Sequence, residues 1–267
     1  MPLDPAQISG AAEDLFQAEA TGNQTGLMSL RFPGLTLDDA YEIQNGLVRR
    51  KLAAGRTQIG WKIGLTSKAM QDALKISTPD SGVLFDDMLF ETGATVPKDC
   101  FIQPRIEAEI AFVMGADLGP QPTRDDVLAA TESVVPALEI LDTRIQRKDP
   151  DTGQLRVIAD TIADNAANAG IVLGNERHAP DAIDLRWVGA IVTRNGEVEE
   201  TGLGAGVLND PPMGIVWLAE RLGTQGQQIK AGEAVLSGSF IRPLEAPPGS
   251  QIDADFGEFG RVSINFS

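Results

Sequence analysis

The 267-residue chain holds a single cysteine, a single histidine and a single tyrosine, so it has little of what many active sites are made from. Cys100 alone excludes an internal disulfide and fits a reducing cytoplasm, the expected location. His178, the only histidine, sits in the turn-like Asn175-Glu176-Arg177-His178-Ala179-Pro180. A histidine-based triad therefore has one candidate, and zinc sites built from several Cys or His ligands are excluded. Basic residues are outnumbered, 22 Lys and Arg against 38 Asp and Glu, for a formal charge of −16. That balance argues against nucleic acid or an anionic membrane as partner. No apolar run approaches the roughly 20 residues of a membrane span. The acidic opening Met1-Pro2-Leu3-Asp4-Pro5 leads into no apolar signal core, so no secretory signal is expected. What remains is the chemistry of carboxylates, lysine and a hard metal ion. An anionic small substrate stays compatible, because a bound cation reverses the local field.

The stretch Pro104–Met114 alternates as a β-strand. Ile106, Ala108, Ile110, Phe112 and Met114 share one parity; Arg105, Glu107, Glu109 and Ala111 share the other. Glu107 and Glu109 thus project from one side, roughly 7 Å apart at the backbone. Two such carboxylates are either a solvated acidic face or the ligands of an oxygen-seeking cation, Mg²⁺ above all. A second apolar run, Val134-Val135-Pro136-Ala137-Leu138-Glu139-Ile140-Leu141, carries one carboxylate in its middle. A buried unpaired Glu139 costs several kcal/mol and needs a cation, and the first strand wants the same thing. Lys62 is a third anomaly, embedded in the apolar strand Ile59–Leu65 between Gly60 and Gly64. It is either a lysine snorkelling at a strand edge or a buried acid/base group with a pKa lowered by desolvation. Asp80, in Thr78-Pro79-Asp80-Ser81-Gly82, reads as a turn aspartate.

Around these strands the pattern is mixed. Residues 4–20 form an amphipathic helix capped by Asp4 with Pro5 at its first position, followed by a Gly/Asn/Thr loop. A second helix starts at Thr36 and stops at Gly55. Together they predict an N-terminal helical arm or cap over 1–56, ahead of a catalytic domain over 57–267. Further helices are predicted over Ser67–Leu74, from Thr123 with Asp126 closing a capping box, over the small-residue stretch Ile158–Ala169 (helix or turn), and after Asn209-Asp210-Pro211. Strands are predicted over Leu185–Arg194 and Glu197–Gly202, joined by the hairpin pair Asn195-Gly196. The remainder is β. Gly202-Leu203-Gly204-Ala205-Gly206 has the wrong spacing for a dinucleotide loop. Asp149-Pro150-Asp151-Thr152-Gly153 lacks the spacing and closing glutamate of a calcium loop.

Gly60-Trp61-Lys62-Ile63-Gly64-Leu65-Thr66-Ser67, Pro79-Asp80-Ser81-Gly82, Pro104–Glu109 and Pro136–Glu139, with Asp164–Gly170 and Ser237–Phe240, resemble the hydratase/decarboxylase branch of the fumarylacetoacetate hydrolase superfamily, nearly end to end and in order. The resemblance implies an α+β fold: a mixed β-roll with an N-terminal helical cap and peripheral helices, assembled as a homo-oligomer. It implies Glu107, Glu109 and Glu139 as ligands of Mg²⁺, with Mn²⁺ as substitute, and Lys62 and Asp80 as an acid/base pair. Backbone amides of Leu65, Thr66, Ser67, Gly238 and Ser239 are candidates for gripping a carboxylate. The implied activity is addition of water to a 2-oxo-alkenoate or 2-hydroxy-dienoate in aromatic meta-cleavage catabolism. Leu185–Ala190 and Asp160-Thr161-Ile162 point to 2-oxo-hept-4-ene-1,7-dioate as the substrate. Hydration of 2-hydroxypenta-2,4-dienoate, decarboxylation of 4-oxalocrotonate, and a non-catalytic protein stabilised by its metal are the alternatives. Trp61 and Ser81 depart from the pattern of close relatives, and both are expected to line the pocket.

Overall fold

The computed structural model describes residues 2–68, 71–72, 76 and 78–267. The helix predicted over 67–74 lies partly outside these residues. Helix starts follow the side-chain caps. Asp4 accepts from the Gln7 amide and Gln7 returns a bond from its side chain, opening α1 (Pro5–Thr21), which ends at left-handed Gly22. Thr36 and Asp39 make the same reciprocal box at the head of α3 (Leu37–Ala53). Between them a short α2 (Met28–Arg31) occupies what reads as loop in the sequence. Leu15, Met28, Ile43 and Leu47 of these helices pack with Ile145 and with Ile162 and Ala163 of α5 (Ile158–Ala163) in a core cluster of their own.

The strands form two sheets. The first contains β1 (Gln58–Gly64), β2 (Asp80–Phe85), β3 (Leu89–Glu91), β5 (Arg105–Met114), β6 (Thr131–Leu141), β7 (Asn168–Leu173), β10 (Ala234–Leu236) and β11 (Leu244–Glu245). Its order is β2-β1-β10-β5-β6-β7-β3, with β11 paired to the start of β5. The second sheet runs β4-β13-β12-β8-β9, from β4 (Thr95–Val96), β8 (Gly189–Arg194), β9 (Glu197–Leu203), β12 (Gln251–Asp255) and β13 (Arg261–Phe266). Parallel pairs β1/β10, β3/β7 and β4/β13 make both sheets mixed. Ile106, Ile110 and Phe112 of β5 meet Val192, Ile252, Val262 and Ile264 of the second sheet in the main core. Two peripheral helices, α4 (Arg124–Ala130), capped by Thr123 and Asp126, and α6 (Pro212–Thr224), complete the α+β roll the sequence led us to expect.

The first sheet curls. β2 and β7 have four strands between them in the sheet order yet touch each other, which a flat sheet does not allow, and Leu84, Leu236, Ala111, Val135 and Ile171 form a small apolar cluster on the inner face. Asn165 closes the curl at the β2 edge. Its side-chain oxygen accepts from Val83 N at 2.8 Å and its amide donates to Val83 O at 2.9 Å, replacing a neighbouring strand. Asn165, Ala166 and Ala167 are all left-handed, with φ of 50°, 52° and 60°, a conformation that costs non-glycine residues energy and needs support. Buried Arg144 supplies it, pairing with Asp164 at 2.5 Å and donating to the backbone oxygens of Asp164 and Asn168. The predicted helix or turn over 158–169 is thus a short helix followed by a left-handed turn. Asp80 is not in a turn: it is the first residue of β2, opposite Gly64. The Asn195-Gly196 hairpin forms as expected, with φ of 54° and 84°, while Leu185–Trp187 is a 3-10 turn rather than strand.

Candidate metal centre

The carboxylate parity of β5 does not face solvent. Glu107 is half-buried and Glu109 fully buried, because this face is the inside of the curl. In the antiparallel pairing of β5 with β6, Glu107 lies opposite Glu139 and Glu109 opposite Ala137. Cross-strand partners share a face, so three carboxylates converge, with one oxygen from each within 4.8 Å of the others. Glu109 Oε2 accepts from Gly238 N at 2.7 Å. Glu109 Oε1 and Glu139 Oε2 are buried with no hydrogen-bond donor among the described residues, and Glu139 Oε1 has only the Lys62 ammonium, 3.3 Å away and poorly aligned. Burying such acceptors unpaired is expensive. Burial and the neighbouring Glu139 push the Glu107 carboxyl up to about 8; burial and the other two glutamates push Glu109 well up. Glu139 rises through burial, with Lys62 pulling it back part of the way. An oxygen-ligated dication answers both the unpaired acceptors and the mutual repulsion, so the donor set fits Mg²⁺ or Mn²⁺.

Lys62 stands on the same face. It is opposite Leu236 of β10, which is opposite Ala111 of β5. Its Nζ is 3.3 Å from Glu139 Oε1. The lysine is buried and not snorkelling. The expected lowering of its pKa does not hold: burial lowers it, but Glu139, Asp80, Glu107 and Glu109 outweigh burial and raise it. Asp80 packs into the gap left by Gly64. A Cβ at position 64 would collide with Asp80 Oδ1 and lie 3.0 Å from Lys62 Nζ. Burial raises the Asp80 carboxyl and Lys62 draws it partly back.

A cavity of about 860 Å³ opens on this face, lined by Lys62, Asp80 and Glu107, with Leu65, Thr66, Ser67 and Ser239 on its walls. Gly238 is not on the wall; its amide is spent on Glu109, so it orients a carboxylate of the protein instead of meeting one from outside. Trp61 and Ser81 do not line the cavity either. They occupy the opposite parity of β1 and β2, where Trp61 packs in the main core and donates to Glu233 at 3.0 Å. His178 is remote, stacked on Phe259 at 4.8 Å between ring centroids. Four arginines that sequence reasoning left unassigned, Arg105, Arg147, Arg156 and Arg242, also line the cavity, the last of them paired with Glu200 at 2.7 Å. Only Arg105 had a signal in the sequence, since it shares the parity of Glu107 and Glu109.

The curled roll has the fold of fumarylacetoacetate hydrolase. A fumarylacetoacetate hydrolase from Exiguobacterium antarcticum shares the fold at a TM-score of 0.58 and 13 % identity, over 79 % of this chain and 76 % of that one. No family profile matches the chain. Whole-length relatives are much closer. The 2-oxo-hept-4-ene-1,7-dioate hydratase of Escherichia coli is 50 % identical over 96 % of both chains. The 2-keto-4-pentenoate hydratase of Paraburkholderia xenovorans is 39 % identical over 99 % of this chain and 96 % of its own. The 4-oxalocrotonate decarboxylase of Pseudomonas putida G7, solved with magnesium and adipate, superposes with a TM-score of 0.92 at 33 % identity over 99 % of both chains. The chain belongs to this family of 2-oxo-alkenoate hydratases and decarboxylases.

Proposed function

We propose that the protein is a divalent-cation-dependent hydro-lyase of aromatic meta-cleavage catabolism. It adds water to a 2-oxo-alkenoate or its 2-hydroxy-dienoate tautomer, with 2-oxo-hept-4-ene-1,7-dioate as the substrate and a 4-hydroxy-2-oxo acid as the product. One observation carries this reading: Glu107 and a buried lysine line a substrate-sized cavity, and Glu107 converges with Glu109 and Glu139, whose buried oxygens are left unpaired. Glu107, Glu109 and Glu139 would hold the cation. When bound, Mg²⁺ would supply Lewis-acid stabilisation of negative charge developing on the 2-oxo group. Lys62, whose pKa the surrounding carboxylates raise, carries its proton at Nζ in the metal-free site. Asp80, wedged beside it at Gly64, keeps the ammonium oriented. The pair moves protons on the carbon chain during ketonisation, which brings the double bond into conjugation so that water adds at C4. Leu65, Thr66, Ser67 and Ser239 shape the wall around the substrate carboxylate. A purely structural metal calls for closed coordination, whereas Glu107 is half-buried and faces the cavity.

The assembly we propose is a homo-oligomer. Ile191, Val198 and Leu203 are exposed together on the outer face of the β8–β9 hairpin, beside exposed Trp187, at the edge of the second sheet. A cytoplasmic setting is supported by Cys100, which is exposed and unpaired. Among the described residues no helix is long and apolar enough to cross a membrane.

The test is spectrophotometric. Loss of the dienol absorbance of 2-hydroxyhepta-2,4-diene-1,7-dioate is expected with Mg²⁺ and not in excess chelator. Glu107→Gln is expected to abolish turnover by weakening cation affinity, and Lys62→Ala to abolish it with the cation still bound by calorimetry. Full activity in chelator would overturn the reading.

A further inference from the structure

We infer that Arg105, Arg147 and Arg156 form the site for a second, distal carboxylate, so that the cavity selects dicarboxylic 2-oxo acids. The inference rests on the hydratase reading for the near end of the cavity and extends it to the substrate tail. All three arginines line the cavity that Glu107 and Lys62 also line; a fourth, Arg242, is exposed and already paired with Glu200 at 2.7 Å. The Nε atoms of Arg105 and Arg147 are buried and have no acceptor among the described residues. A guanidinium N–H left unpaired in a protein interior is a donor waiting for an acceptor, and a carboxylate matches its fork geometry.

The remaining contacts hold the arginines in place without filling that need. Arg105 donates from NH2 to Glu245 at 2.9 Å, Arg147 from NH2 to Gln103 O at 2.8 Å, and Arg156 from NH1 to the Thr143 hydroxyl at 2.7 Å. The anions nearby are committed elsewhere or exposed: Glu200 is paired with Arg242, and Asp160 accepts from the Ser29 amide and hydroxyl. Asp142 accepts the amides of Ile102 and Gln103 at 2.8 and 2.7 Å. Asp164, 3.9 Å from Arg156, is bound to Arg144 at 2.5 Å. Glu245 is 67 % exposed and 4.0 Å from Arg147. Burial, with Arg105 and Arg156 alongside, lowers Arg147 to about 10, and Glu245 and Asp142 only partly counter this. An arriving carboxylate relieves both the repulsion and the unpaired donors.

Spacing agrees. Arg105 lies two residues before Glu107 on one strand face, a separation of roughly 7 Å. Six carbon–carbon bonds of about 1.5 Å each, zig-zagged between two carboxylates, cover a similar distance. A tail with no charge leaves the Nε donors unpaired, which is how a polar site rejects an analogue.

Calorimetry with two inert ligands tests this in Mg²⁺-containing buffer. 2-Oxoheptanedioate and 2-oxoheptanoate differ only in the distal carboxylate. The dioate is expected to bind about tenfold to a hundredfold more tightly to the unaltered protein. Arg147→Gln and Arg105→Gln are each expected to erase most of that gap, while 2-oxoheptanoate affinity stays within about twofold. Arg147→Lys, which keeps the charge but loses the fork, is expected to retain part of it. Equal or absent binding of the two ligands by the unaltered protein, a gap that survives both glutamine variants, or equal loss of both ligands would overturn the assignment. Failure of the hydratase reading looks different: the gap persists while the unsaturated dioate is not hydrated.

Discussion

At the scale of single residues, environment decides chemistry. Glu107 and Glu109 are two residues apart on one strand and adjoin the same site, yet only Glu109 is tied down by a backbone amide. Without a cation their shared burial turns ordinary acids into proton holders. Glu107 keeps its proton to about pH 8, against an ordinary 4.5. Between those values the folded protein binds more protons than the unfolded chain. The associated stability is therefore full below about pH 4.5 and is lost as pH rises through about 8. Chelator-treated protein is expected to show a thermal midpoint that falls from about pH 5 to pH 8, with Mg²⁺ restoring most at the upper end. A flat profile without metal would show that the glutamates are not buried together.

At the scale of elements, the left-handed turn Asn165–Ala167 does two jobs. It closes β2 against the curl through Asn165, and it presents Ala166 and Ala167 to the cavity. Asn165→Leu removes both bonds to Val83 and leaves a buried N–H and C=O unpaired. Each unsatisfied group costs about 1–3 kcal/mol, so urea unfolding is expected to show a loss of several kcal/mol. Cavity-dependent activity should fall with it. An unchanged urea midpoint would mean that β2 holds its place without the turn. None of this is legible in Asp164-Asn165-Ala166-Ala167-Asn168, which reads as helix or turn because small residues carry no periodicity. Arg144, 20 residues upstream, supports the turn only through tertiary contact.

For the whole molecule, the outward face of the β8–β9 hairpin is the surface that stays unexplained in a lone chain. Ile191, Val198 and Leu203 present an apolar stripe on a sheet edge, a feature that proteins normally cover. Ile191→Glu is expected to shift the protein to a smaller species on size-exclusion chromatography while leaving Mg²⁺ affinity within about twofold, since burying a charge at an interface costs more than leaving it solvated. A monomeric elution of the unaltered chain would remove this reading of the hairpin.

Alternation along 104–114, the isolated carboxylate in 134–141 and the lysine between Gly60 and Gly64 were sufficient to nominate three candidate ligands and Lys62, because strand parity is a local property of the backbone. Helix caps at Asp4, Thr36 and Thr123 were legible for the same reason. The faces that are buried, however, depend on curl. Whether Glu107 meets solvent or Glu139, and whether Trp61 lines the pocket or the core, follows from how eight strands close on each other, which no window of sequence contains. The raised pKa of Lys62 likewise needs four carboxylates drawn from three strands. The arginine cluster is the extreme case: Arg105, Arg147 and Arg156 lie up to 51 positions apart in the chain, and only the folded cavity brings them onto one wall.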